Sequence, residues 1–203
     1  MGLLEGIFLA IVFIYSVVIH EISHGAIANS LGDPTAKNLG RLTLNPLKHL
    51  DFFGSVMLPL LLILVRSPFV FGYAKPVPYN PANLRDKKYG PLKVALAGPL
   101  TNFALAILFG LVLRFLPTAL HATILPQLFS FVVEVNLLLG IFNLMPIPPL
   151  DGHWLLLTFL PERMVAFKIF LMRYSLPLLF FFLIFIFPLI YPLINLLFGI
   201  IVG

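Results

Sequence analysis

Apolar residues in this chain gather in long blocks instead of alternating with polar ones, the pattern of helices surrounded by hydrocarbon rather than water. Leu3 to Ile19 is almost continuous Leu, Ile, Val and Phe, and with its polar end it extends to about Leu31, so a first spanning helix is predicted over 3–31. It begins at residue 3, so no basic segment of the kind that opens a cleavable signal precedes it. Phe52 to Val65 is a shorter run, closed by Arg66, Ser67 and Pro68. Further spans are predicted over 92–116, which contains Gly98-Pro99, and over 124–145, ended by Pro146, Pro148 and Pro149. The tail, 174–202, is apolar but holds Pro177, Pro188 and Pro192, and reads as one kinked span or as a span plus a surface segment.

Charge orients these pieces, because Lys and Arg are retained on the cytoplasmic side. Lys37, Arg41 and Lys48 follow the first span. Lys75, Arg85, Lys87, Lys88 and Lys93 flank the start of the second, and Arg163, Lys168 and Arg173 precede the tail. The connection 117–125 has none. All three basic loops face the cytoplasm if the first helix runs inward and 52–65 does not cross, which predicts a re-entrant hairpin at 52–72. Its non-helical backbone then has to be buried by protein. Gly40 to Leu44 and Phe69 to Tyr73 have strand-like composition and are expected to pair beside it.

Composition agrees with this placement. The 203 residues are 60% hydrophobic and 10% charged, where a soluble domain carries about 25% charged residues. A bilayer is the expected environment, and the length leaves no room for a separate soluble catalytic domain. The net charge of +5 comes from topology-setting loops, so no nucleic-acid partner is expected. With no cysteine, thiolate catalysis, disulfides and Fe–S clusters are excluded, and a metal must be held by His and carboxylates.

Ionisable groups within such spans are costly and call for a function. His20-Glu21-Ile22-Ser23-His24 places two imidazoles four residues apart on one helical face, where both reach one cation. Glu21 is rotated away from that face and suits holding a water. Two histidines leave a zinc site incomplete, since a catalytic zinc takes three protein ligands and keeps a fourth position for water. Glu134, Asp151, His121, His49 and His153 are the remaining candidates. His121 falls on the outer side, Glu134 in mid-span, and His49 with Asp51 in a solvated loop cluster. Asp151, at the inner end of the fourth apolar block and at the depth of His24, can complete the shell; alternatively it caps a short helix starting at Trp154. His153 reads as a neighbour of the site rather than a fourth ligand.

His20-Glu21-Ile22-Ser23-His24 and Asn143-Leu144-Met145-Pro146-Ile147-Pro148-Pro149-Leu150-Asp151-Gly152 together resemble the two signatures of the site-2 protease family of intramembrane zinc metalloproteases. Ala97-Gly98-Pro99-Leu100-Thr101-Asn102 is similar to that family's Gly-Pro-x-x-Asn element, and Gly72-Tyr73-Ala74-Lys75-Pro76-Val77-Pro78 to a loop of its small bacterial and archaeal members. The resemblance covers about 14–155. It implies one zinc ion held by His20, His24 and Asp151, with Glu21 as general base and a core of three helices. It also implies a minimal member without PDZ or CBS domains.

The chain is thus expected to be an all-α polytopic membrane protein, a single membrane-embedded metalloprotease domain over 1–203. Its core would be three catalytic helices with a re-entrant hairpin, a short β segment and one or more C-terminal membrane helices. The expected activity is zinc-dependent cleavage of transmembrane segments of other proteins near the cytoplasmic face of a prokaryotic cell membrane. Asn143 and Asn102 are candidate substrate-binding groups for the unwound segment, Asn143 by the resemblance; Asn102 reads equally as helix packing beside Gly98. A strand near 40–45 or 71–77 would clamp that segment. A metal transporter or an inactive zinc-binding scaffold are the competing readings. Ligands gathered at one depth argue against the first, and an intact Glu21 against the second.

Overall fold

The computed structural model describes residues 2–66 and 72–203, and every regular element in them is helical. α1, Leu3–Ser30, has 28 residues and is about 42 Å long. It stops at Gly32, whose φ of +110° is open to glycine at little cost. α2 is the short Thr35–Asn38. A π-helical segment, Phe52–Met57, runs into α3, Leu58–Leu64. α4, Gly90–Arg114, and α5, Leu125–Asn143, follow, then α6, His153–Phe159, and α7, Val165–Arg173. α8, Ser175–Phe181, continues through a π-helical turn at Phe182–Ile186 and a 3-10 turn at Phe187–Ile190 into α9, Tyr191–Val202. The tail is therefore one irregular helical rod over Ser175–Val202. With α1, α4 and α5 it gives four helices among the described residues that are long and apolar enough to cross a membrane.

α4 packs between α1 and α5, and α9 lies against α4 and α5. Lipid tails are as apolar as leucine, so helix association in a bilayer relies on close packing and interhelical hydrogen bonds. The buried face of α4 shows how. Ala95, Gly98, Asn102, Ala106 and Gly110 recur at helical spacing, a small-residue stripe that lets three helices approach. Ala106, Val133, Leu137 and Ile141 meet Phe182, Ile190 and Ile194 of the rod in the main apolar core. Leu108, Ile184, Phe185 and Ile200 point outward and are exposed, as side chains covered by lipid are.

One sequence expectation, the strand at 40–44, is corrected. No strand occurs among the described residues. Around Gly40–Leu44 the chain turns instead: Gly40 has φ +63°, and Asn45 accepts from the Leu47 N–H at 3.1 Å to start the 3-10 turn Pro46–Lys48. Side chains thereby take the backbone groups that a ladder would use. The Phe69–Phe71 part of the second expected strand, and the Pro68 turn, lie outside the described residues. From Gly72 the chain is extended but unpaired as a sheet, because Pro76 and Pro78 have no N–H and the Tyr73, Lys75 and Val77 N–H groups go to Gly54 O, His49 O and Glu21 respectively. Of the hairpin expected at 52–72, residues 52–64 are helical and 67–71 lie outside the described residues; the Tyr73 N–H donates to Gly54 O at 3.1 Å and the Ser55 hydroxyl to Tyr73 O at 2.8 Å.

Asp33 ties the loops to this frame. It is fully buried and accepts from the Asn80 N–H at 2.6 Å, the Asn83 amide at 2.8 Å, the Thr35 N–H at 3.2 Å and the Thr35 hydroxyl. Burial pushes its carboxyl up, but these donors outweigh that and hold it below the usual range. A depressed native value stabilises the fold above the unfolded value, about pH 4, and the contribution is lost as pH falls through the native value. Exchange of the Asn80 amide, corrected for its intrinsic rate, is therefore expected to stay slow from neutral pH down to about 4 and to quicken below it. Asp33→Ala, losing about 1–3 kcal/mol, should exchange fast throughout. Equal rates in the two proteins would contradict the tie.

Candidate metal centre

Three separate stretches converge at one end of the α1–α4–α5 core. His20 and His24 lie in the last third of α1, 5% and 8% exposed, facing α4 at Gly98. A Cβ there would stand 2.5 Å from both imidazoles, so only glycine admits the rings. Pro99 next to it lacks an N–H and opens the α4 ladder in this turn. Asp151 arrives from beyond α5. The loop 144–152, with a cis peptide at Pro148–Pro149, folds back on the helix end, where the Gly152 N–H donates to Asn143 O at 2.7 Å. A side chain at 152 would collide with the Leu144 carbonyl.

The polar atoms then meet at close range. His20 Nε2 is 3.0 Å from Asp151 Oδ2, His24 Nε2 is 3.2 Å from the same oxygen, and the two Nε2 atoms are 3.0 Å apart. Behind them, His24 Nδ1 lies 2.7 Å from Val94 O, and His20 Nδ1 2.6 Å from Asn102 Oδ1. A carbonyl oxygen only accepts, so each ring carries its proton on Nδ1 and directs the Nε2 lone pair inward. Two imidazole nitrogens and a carboxylate oxygen thus face each other at close range, a set of donors that one shared cation would hold together. Donors placed tetrahedrally about 2.0–2.1 Å from zinc are themselves about 3.3 Å apart. The triangle has that size, and its nitrogen and oxygen donors suit zinc.

Glu21 also lies close: one of its carboxylate oxygens and one nitrogen from each imidazole fall within 4.8 Å of one another. It is nonetheless differently engaged. Its Oε2 accepts from the Val77 N–H at 2.8 Å, under an extended strap, residues 72–80, which Arg41 holds by donating from Nη2 to Lys75 O at 2.9 Å. Tyr79, further along the strap, has its hydroxyl pushed up to about 12 by burial and by the Asp151 charge, so it stays a neutral group beside the centre.

Of the residues singled out from sequence, His20, Glu21, His24 and Asp151 are brought together. Asn143, at the C-terminal end of α5, donates to Leu139 O at 3.0 Å. Asn102 is not placed to meet a substrate: it is fully buried, its oxygen faces His20, and its amide donates to Asn136 Oδ1 at 2.8 Å. His153 is buried with Nδ1 2.6 Å from Leu150 O, outside the triangle. His49 is buried against Thr43 O at 2.9 Å, and Asp51 accepts from the Gly54 N–H at 2.7 Å at the start of the π-helical segment. His121 lies by Leu116, and Glu134 lines a groove of about 520 Å³ between α5 and the rod. Sequence reasoning missed Ser16, Asn136, the Val94 carbonyl and the Val77 N–H. Ser16 and Asn136 were findable as polar residues in apolar spans, with Ser16 one helical turn before His20; the backbone groups carry no sequence signal.

The sequence is similar to those of known proteins. Residues 117–186 match Peptidase family M50, a stretch that holds Asn136, Asn143 and Asp151 but not His20 or His24. The chain is similar to "Putative zinc metalloprotease YwhC" of Bacillus subtilis, 41% identical over 165 residues, which are 78% of this chain and 72% of that protein. It is 33% identical over 151 residues to the Rip2 protein of Mycolicibacterium smegmatis, which bears the same description, covering 73% of this chain and 56% of that one. It is also 29% identical over 164 residues to "Zinc metalloprotease MJ0392" of Methanocaldococcus jannaschii, covering 78% and 37%. No solved structure matches. The first of these relatives matches over most of both sequences, and a zinc-sized triangle of acceptors sits at one end of the α1–α4–α5 core. The chain belongs to peptidase family M50, the site-2 protease family, and is a zinc metalloendopeptidase.

Proposed function

We propose that this enzyme hydrolyses a peptide bond within transmembrane segments of other proteins, near the cytoplasmic face of a prokaryotic cell membrane, as one membrane-embedded domain. In this reading His20, His24 and Asp151 hold zinc and Glu21 is the general base. The observation that carries it is the triangle of three inward-facing acceptor atoms beside Glu21, reached through helices whose outer faces suit lipid. His24 lies six residues from the end of α1, about 9 Å in. Lys37, Arg41, Lys48, Lys75 and Arg85 lie beyond that end, so the positive-inside rule puts the centre in the cytoplasmic half. By the same rule 52–72 enters and leaves on that side without crossing.

Bound zinc supplies Lewis acidity, polarising a carbonyl and acidifying water. The chain's own groups do the rest. Glu21 takes a proton from water as its oxygen bonds to the scissile carbonyl carbon, and passes it to the amide nitrogen as the C–N bond breaks. The buried faces of α1 and α4 exclude bulk water. A helical substrate has its amides paired internally, so it must unwind before one carbonyl is exposed. Such a segment would lie beside the strap next to Glu21, with Asn143 as a side-chain hydrogen-bonding group for its unwound backbone. The test is a single-span substrate in liposomes with purified enzyme. Cleavage should require zinc, stop with a chelator and return when zinc is added back; cleavage that persists in chelator with the metal removed would contradict the reading.

A further inference from the structure

The inward lone pair of His20 depends on what lies behind the ring. His24 donates to a main-chain carbonyl, Val94 O, which fixes its tautomer outright. His20 instead faces a side-chain amide, and an amide can present either its oxygen or its NH2 group. If Asn102 turned over, its NH2 would face Nδ1, the ring proton would move to Nε2, and that lone pair would be lost to the metal.

We infer that Asn136, acting through Asn102, is a positioning residue that fixes the His20 tautomer. The inference rests on the reading of His20 as a zinc ligand. The relay has a direction because its far end is set by main-chain carbonyls, which only accept. Val132 O lies 2.9 Å from Asn136 Nδ2, so that end of Asn136 is its NH2 group, which also donates to Ser16 Oγ at 2.9 Å. Asn136 Oδ1 must then face Asn102, and the Asn102 end it meets, at 2.8 Å, must be NH2. A second contact from the same nitrogen to Ser16 O, at 3.4 Å, requires the same orientation. Asn102 Oδ1 is thereby turned to His20 Nδ1 at 2.6 Å, which must carry the proton. Asn102 and Asn136 are wholly buried and Ser16 nearly so, so no water replaces a broken link. One side chain from each of α1, α4 and α5 thus transmits an orientation to the metal face of His20. Ser16 supports the relay without setting its direction, since a hydroxyl can donate or accept.

The test uses full-length protein and Zn²⁺ alone. Zinc affinity is measured by chelator competition, and the His20 tautomer by ¹⁵N NMR of metal-free protein. Asn136→Leu should weaken zinc binding about 10–100-fold, as loss of outer-shell partners does, and should populate the Nε2-protonated ring. Asn136→Ala, which adds no bulk, is the second variant and should act in the same direction. In an Asn102→Asp background, both ends of residue 102 are oxygens and the tautomer no longer needs Asn136. There Asn136→Leu should change zinc affinity by no more than about twofold. Unchanged affinity on the wild-type background, or an equal loss on both, would overturn the relay. Unchanged zinc affinity in His20→Ala would instead overturn the ligand assignment beneath it.

Discussion

Asp151→Ala is expected to strip zinc from the purified protein. Zinc sites of four ligands bind with about 10–16 kcal/mol, or about 2.5–4 kcal/mol for each ligand, and each 1.4 kcal/mol is about tenfold in affinity. Removing Asp151 should therefore weaken binding by about 10²–10³-fold. Its Oδ2 is the only negatively charged corner of the triangle, 3.0 and 3.2 Å from the two Nε2 atoms. Without it, only the two neutral imidazoles remain, their Nε2 atoms 3.0 Å apart. The fold should survive, since Leu150 and the Gly152–Asn143 bond anchor the loop without the carboxylate. Zinc competition together with circular dichroism checks this. Wild-type affinity in Asp151→Ala would mean that another group completes the shell, with Glu21 as the nearest carboxylate.

Glu21→Gln has the opposite signature. Glutamine has almost the same shape, and its carbonyl oxygen still accepts from the Val77 N–H that meets Glu21 at 2.8 Å, so strap and metal site should persist. What is lost is the ability to take a proton. General-base catalysis contributes about 10²–10⁴-fold, so kcat/KM should fall by that factor while zinc affinity stays near wild type. An active Glu21→Gln enzyme would remove Glu21 from proton transfer. Loss of zinc in this variant would make it a ligand.

How much of this was legible beforehand follows from where each signal resides. The four long helices were readable because hydrocarbon imposes a length and an apolar run, and their ends fell within about two residues of the helices described, within ordinary end fraying. The convergence of His20, His24 and Asp151 was readable because topology put them at one depth. Asn102 was readable only in part. A buried asparagine in a span signals a hydrogen bond, but the sequence does not say whether the partner is a substrate or a histidine 82 positions away. The strand expected at 40–44 was misread because propensity does not see the Asn45 and Gly40 turn chemistry, whereas Phe69–Phe71 of the other expected strand lie outside the described residues. The strap over Glu21 had no readable sign, since its key donor is the Val77 main chain.

That strap bears on the chemistry. Glu21 Oε2 accepts from the Val77 backbone N–H, which keeps the carboxylate aimed along the strap. An unwound substrate laid beside residues 72–80 would bring its carbonyl to the same carboxylate.

The most direct test of the account is to locate the cut. A single-span substrate is placed in liposomes with the zinc-loaded enzyme, and the new chain ends are read by mass spectrometry, with Glu21→Gln as the control. A single region of cleavage is expected inside the apolar span, in its cytoplasmic half, absent with Glu21→Gln. Cleavage confined to the substrate's water-exposed loops, or the same cuts from Glu21→Gln, would contradict it.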